Sequence, residues 1–240
     1  MKLRGILNKM TPEKCQTLIC RAKRLNIDTE PKLTEVVNLI FEKVIMEPTY
    51  SSVYTNMCHC MKIKVRSEQQ EGKMVTFRAL LLTRCQRFIR ESRTELEKLK
   101  DADEATVSEY HSKLFGAYRF IGDLYNKGIV IENVIHDMIF KLLKWKDPVS
   151  LQCLCVIWPI VGEKLDVSKA KRRNDQYFQQ MAKIAKDKRQ PGNIKYRLLN
   201  VIDLRANNWI SRLPVVKPKT LAAVRMDVEK EISGAELQNK

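Results

Sequence analysis

Glycine and proline are scarce in this 240-residue chain, eight of each, too few for a fold built from hairpins and tight turns. Nowhere does strict apolar–polar alternation last long enough to argue for a strand. Histidine is rarer still. His59, His111 and His136 are scattered, and no two form an i, i+4 ligand pair. There is no glycine-rich phosphate loop, no G-x-S-x-G elbow and no zinc spacing, so the chain is expected to be neither an enzyme nor a carrier of a metal or cofactor. No apolar run approaches the ~18–20 residues that cross a bilayer. The start, Met1-Lys2-Leu3-Arg4-Gly5, reaches Asn8 and Lys9 too soon to hold a signal sequence.

Acidic residues are also outnumbered: 28 Asp+Glu stand against 44 Lys+Arg, a net charge of +16. Such a balance implies polyanionic partners, nucleic acid ahead of a membrane surface. With 44% hydrophobic and 30% charged residues the chain is globular. Seven cysteines, an odd number, without a secretion signal predict reduced thiols in cytosol or nucleus. Cys58-His59-Cys60 and Cys153-Leu154-Cys155 look like metal fragments, but on a helix residues i and i+2 point about 200° apart. Both are therefore read as small buried hydrophobes.

Amphipathic helix pairs supply the dominant pattern. Leu33, Val36, Val37, Ile40, Phe41 and Val44 form one apolar stripe at helical spacing, and Ile131, Val134, Ile135, Met138, Ile139 and Leu142 repeat it. Phe77, Leu80, Leu81, Cys85 and Phe88 follow the same rule, as do Leu151, Leu154, Cys155 and Trp158. Thr11-Pro12, Thr29, Asp147-Pro148 and Pro191 read as helix openings. Together these predict helices near 12–25, 30–46, 50–63, 76–99, 106–126, 131–145, 148–165, 168–188 and 191–208. First helices of successive pairs then start near 12, 50, 106, 148 and 191. The one long step holds the polar insertion Arg66–Lys73 and the charged extension Ser92–Glu104. Two helices every ~40–47 residues is the HEAT or armadillo pattern. The fold class expected is all-α: an α-α superhelix of about five antiparallel pairs over 1–212, with a linker and charged tail over 213–240. An irregular helical bundle is the alternative.

Charge clusters where that array ends. Residues 168–197 carry ten Lys/Arg against Asp175 and Asp187, a net +8 in one eighth of the chain. Lys169, Lys171, Arg172, Arg173, Lys183, Lys186, Lys188 and Arg189 within it are candidate phosphate contacts, sequence-tolerant and salt-sensitive. The competing reading is a solvated helix face. Arg84, Arg87, Arg90 and Arg93 step by three along one helix beside Glu91, Glu95 and Glu97, and read as a salt-bridged surface. Trp145, Trp158 and Trp209 are expected to pack between helices.

A run of ordered blocks resembles the middle domain of eukaryotic translation initiation factor 4 gamma over about residues 3–212. The blocks are Ile6-Leu7-Asn8-Lys9-Met10-Thr11-Pro12, Phe41-Glu42-Lys43 with Glu47-Pro48, and Phe77-Arg78 with Leu80-Leu81-Leu82. Phe120-Ile121-Gly122-Asp123-Leu124, His136-Asp137 with Lys141-Leu142-Leu143-Lys144, and Cys153-Leu154-Cys155 follow. Asp175-Gln176-Tyr177-Phe178 and Val201-Ile202-Asp203-Leu204-Arg205 with Asn208-Trp209 complete them. The resemblance implies a five-pair HEAT array that binds RNA and clamps the DEAD-box helicase initiation factor 4A. Other initiation factors are further candidate partners, and a cytoplasmic chain, monomeric by itself, is implied. Carried over by position, helicase contacts fall on Leu7, Met10 and Cys15, on Phe115 and on Tyr196, with Arg119 a further RNA contact.

Two departures stand out. Cys15 occupies a position where the family typically has a large aromatic, which removes much of an aromatic's ~150–250 Å² of contact. Ala117-Tyr118-Arg119-Phe120 replaces an Asn-Ile-Lys-Phe stretch. The cap-binding-protein motif of the full factor, a tyrosine with leucine five positions on, is absent. The chain is accordingly expected to be an excised domain or a stand-alone version. The alternatives to an initiation scaffold are a decoy that sequesters helicase or RNA, and a related HEAT scaffold in nuclear RNA processing.

Overall fold

The computed structural model describes residues 2–68, 71–167 and 169–210. In chain order the elements are α1 (Lys2–Leu7), α2 (Cys15–Lys23), α3 (Glu30–Met46), α4 (Ser51–Cys60), β1 (Lys64–Arg66), β2 (Met74–Thr76) and α5 (Phe77–Lys98). Then follow α6 (Glu104–Asn126), α7 (Glu132–Trp145), α8 (Pro148–Leu165), α9 (Lys171–Lys186) and α10 (Gly192–Ala206). Every stripe expected to be helical is a helix.

Local chemistry sets the boundaries. The Asp147 carboxylate accepts the Ser150 N–H at 3.0 Å, with Pro148 in the first turn of α8. Thr76 and Asp103 cap α5 and α6 in the same way, at 3.1 and 2.8 Å. Thr11 accepts from the Lys14 N–H at 3.3 Å, yet it opens a turn, and α2 itself starts at Cys15.

The helices form two layers. Helices α2, α4, α6, α8 and α10 pack successively side by side. In the second layer α1 and α5 flank α3, α7 meets α9, and α6 lies against α3 as well as α4 and α8. This is the HEAT/armadillo type of α-α superhelix, with four complete pairs and the first helix of a fifth among the described residues. The expected tail at 213–240 lies outside those residues. Trp158, Tyr54, Tyr118, Phe41, Phe77 and Phe120 are the largest fully buried side chains, spread along the junctions between pairs.

Three expectations need correction. The six-residue α1 was not foreseen; it buries Leu3 and Leu7. The polar insertion is an antiparallel hairpin, Val65 opposite Val75, turned at Gly72 with φ +77°, a backbone shape that favours glycine. An apolar run of membrane-spanning length does exist: α8 has 18 residues with a mean hydropathy of 1.2. It is the central core helix, packed on α6, α7 and α10, with Leu151, Leu154, Ile157, Trp158, Val161 and Leu165 fully buried.

After α10 the described chain folds Trp209 back onto the core. Its ring stacks on Trp158 at 5.8 Å and 17°, and meets Phe178 edge-on at 6.0 Å. A Cβ on Gly162 would lie 2.2 Å from that ring, so only glycine admits it. Asn208 and Trp209 take φ values of +53° and +64°, unusual for such side chains, and they bring the ring back over α8.

Candidate interaction surfaces

Basic residues of the 168–197 stretch emerge on one side of an amphipathic helix. In α9, Tyr177, Phe178, Met181, Ile184 and Ala185 face the core, while Lys171, Arg172, Arg173, Lys183 and Lys186 are exposed. Lys169 and Arg173 converge with Ile131, Glu132, Asn133 and His136 at the first turn of α7, lining a notch of about 400 Å³. Lys188 is exposed in the following loop. Arg189 is exposed too but already engaged, its guanidinium 2.8 Å from Asp187. Hydrogen bonds from Arg189 draw the Asp187 carboxyl down to about 2. Arg119 stands exposed on α6, two pairs before α10.

The stepped arginines of α5 split by role. Arg84 is half-buried with its guanidinium 4.4 Å over the Phe41 ring. Arg93 bridges Glu97 at 3.1 Å and Asp147 at 2.7 Å. Arg87 and Arg90 are exposed.

Positions expected to touch a helicase are distributed over the first, third and fifth pairs, and they differ in access. Leu7 and Met10 are buried, 2% and 4% exposed, so their first role is core packing. Leu7 nevertheless forms the base of a 200 Å³ depression with Arg4, Asn8, Leu39 and Met46. Met46, 59% exposed at the end of α3, is the accessible apolar group there; sequence reasoning missed it because it falls off the apolar stripe. Cys15 is half-buried, its thiol 4.0 Å from the Val53 carbonyl oxygen. Burial, with Cys60 nearby, pushes that thiol up. Phe115 is half-buried against the core, its ring 6.3 Å from His111. Tyr196 is open, 71% exposed on α10 beside Leu199.

All the cysteines except Cys20 behave as small residues in or against the core. Cys58, Cys85 and Cys153 are buried, Cys15, Cys60 and Cys155 are intermediate, and Cys20 is exposed. Burial pushes Cys85 and Cys155 up to about 12. Among the described residues no three His, Cys, Asp or Glu side chains converge as a metal site would require.

Two layers of paired helices, a basic α9 face and separated apolar positions at both ends can be set beside known proteins. The MIF4G domain matches residues 1–208. The chain belongs to the MIF4G-domain family. This MIF4G domain is 40% identical to eukaryotic translation initiation factor 4 gamma 1 of Mus musculus, across 96% of this chain and 16% of that protein. It is 32% identical to eukaryotic translation initiation factor 4G of Arabidopsis thaliana, across 96% of this chain and 14% of that protein. The chain thus spans about one sixth of the length of the curated relatives it matches. Among solved structures, the MIF4G domain of Trypanosoma cruzi translation initiation factor EIF4G5 shares the fold. Its TM-score is 0.53 at 20% identity, covering 87% of this chain and 97% of that one.

Proposed function

We propose that this MIF4G domain is a cytoplasmic translation-initiation scaffold that binds the DEAD-box helicase initiation factor 4A and RNA, organising the helicase for recruitment of mRNA to the ribosome. The observation that carries the proposal is 40% identity along 96% of the chain to a translation initiation factor 4 gamma. The exposed cations of α9 support the RNA half: a helix face that presents Lys171, Arg172, Arg173, Lys183 and Lys186 suits phosphate tracking without base readout. Exposed Tyr196 and Met46, at opposite ends of the array, support the helicase half, since two lobes of one partner need two separated contacts. The domain itself supplies position and electrostatics, and catalysis belongs to the helicase.

The deciding experiment adds the purified chain to a helicase ATPase and unwinding assay. Stimulation is expected, and Tyr196→Ala should weaken helicase binding by about 1–2 kcal/mol with unchanged helical circular dichroism. Tyr196 is the better probe than Leu7, whose truncation would perturb the core. Inhibition of unwinding would replace the scaffold by the sequestering reading. RNA affinity should fall with salt, and its slope should flatten when Lys171, Arg172 and Arg173 are neutralised. A salt-independent affinity would remove α9 from the RNA surface.

A further inference from the structure

A second recess lies away from α9. It is a cavity of about 340 Å³ where the end of α4, the hairpin, the start of α5 and the α6–α7 turn meet. Its floor is apolar, made by Met61, Ile63, Phe77 and Ile129. Its rim carries Lys62, Lys64 and Lys127, all exposed. Among the described residues none of these three ammonium groups is in an ion pair, and no carboxylate lines the cavity.

The walls are fixed before any ligand arrives. The Arg78 guanidinium donates to the carbonyl oxygens of Gly128 at 2.9 Å and Ile129 at 3.1 Å, tying α5 to the α6–α7 turn. The Phe77 N–H donates to the Ile63 carbonyl oxygen at 3.0 Å, closing the hairpin onto the same helix. A preformed recess spares its ligand the cost of ordering it. Along the hairpin's entry strand, exposed Lys62, Lys64 and Arg66 alternate with the inward Ile63 and Val65, the two-residue period of extended chain.

We infer that this recess docks an extended acidic segment of a partner protein, one apolar side chain seated on the floor and flanking carboxylates held by Lys62, Lys64 and Lys127. Charge complementarity selects the acidic flanks, because a rim of three cations without ion-pair partners among the described residues attracts carboxylates, repels basic segments and gives neutral ones no electrostatic gain. The floor separates protein from RNA: Phe77 is 1% exposed and offers no open ring face for a base to stack on, while the apolar surface still open on the floor is that of half-buried Ile63, which an aliphatic side chain can cover. The surface is separate from α9 and from Tyr196, so it adds a partner to the RNA and helicase contacts proposed above.

Selection of a random heptapeptide display library against the whole chain tests this. The expected winners place one Leu, Ile or Met between Asp and Glu. A synthetic winner should shift the methyl resonances of Met61, Ile63 and Ile129 and bind at least about tenfold more weakly to the K62E/K64E/K127E variant. The three lysines are exposed, so the variant should keep the wild-type melting temperature; K62A/K64A/K127A, without added acids, should show a smaller loss in the same direction. The inference is overturned if no acidic–apolar consensus emerges, or if the triple variant binds the winner equally well. It is equally overturned if a dodecauridylate, and no selected peptide, moves those methyls.

Discussion

His136 is buried, with Nε2 3.3 Å from Glu132 and Nδ1 without a hydrogen-bond partner among the described residues. Burial is the larger influence and holds its pKa below the ordinary 6.5, against the pull of Glu132. The unfolded chain therefore binds the proton more readily than the folded one. The stability tied to this position is complete above pH 6.5 and is lost as pH falls through 6.5 toward the folded value. Thermal melts between pH 7.5 and 5 should show wild type losing more melting temperature than His136→Gln; parallel losses would contradict the assignment. Gly162 makes a second residue-scale case. A methyl group there collides with Trp209 at 2.2 Å, so Gly162→Ala should cost roughly 1–3 kcal/mol and expel the indole from Trp158. Red-shifted tryptophan fluorescence in the folded variant is the measurement; an unshifted spectrum would mean that the ring had found room.

At the scale of elements, helices α8, α9 and α10 are joined by one guanidinium. Arg205 of α10 makes a two-pronged pair with Asp166 at the end of α8, at 2.7 and 2.9 Å, and reaches Asp175 of α9 at 2.6 Å. It also lies 4.4 Å over the Phe178 ring. Burial alone would raise the Asp166 carboxyl, but hydrogen bonds and charge from Arg205 lower it. Loss of the guanidinium leaves Asp166, 14% exposed, without its partner. Arg205→Ala should therefore destabilise by roughly 2–4 kcal/mol. Arg205→Lys should recover only part, since an ammonium cannot reproduce the fork; urea titrations give both values. These contacts also mark the limit of sequence reading. Helices α3, α5, α7 and α8 were legible because each repeats its apolar stripe for two turns or more. The hairpin was not, since β1 and β2 offer three residues each, too short for period two to register. Leu7 and Met10 could be aligned with a contact motif, but no linear pattern tells a buried leucine from an exposed one. The basic face of α9 was legible because charge and helical period fix it locally, whereas Tyr196 came from the family resemblance and its exposure from the structure alone.

For the whole molecule, the successive packing of α2, α4, α6, α8 and α10 makes stability a sum of neighbour interfaces, as in other solenoids. Helices α6 and α8 share the most extensive interface, and α6 also touches α3 and α4. Among the described residues, α1 and α2 have fewer helical neighbours than α6. Native-state hydrogen exchange should find the slowest amides in α6 and α8 and progressively faster ones toward α1 and α2. Uniform protection throughout would instead indicate one indivisible cooperative unit. The array also separates its surfaces: the exposed cations of α9 sit on the fourth pair, the open apolar groups Met46 and Tyr196 on the first and fifth, and the lysine-rimmed recess between the second and third.

The uneven burial of the thiols has a practical corollary. Cys20 is exposed on α2, whereas Cys58, Cys85 and Cys153 are shut in the core and Cys155 is held protonated by its surroundings. A maleimide dye should couple first at Cys20, near one extremity of the stack. Paired with a second fluorophore introduced at exposed Asn200 on α10, outside the proposed contacts, it would turn the scaffold into a spectroscopic ruler. Energy transfer between the two could then report whether a bound partner bends the array or leaves its span unaltered.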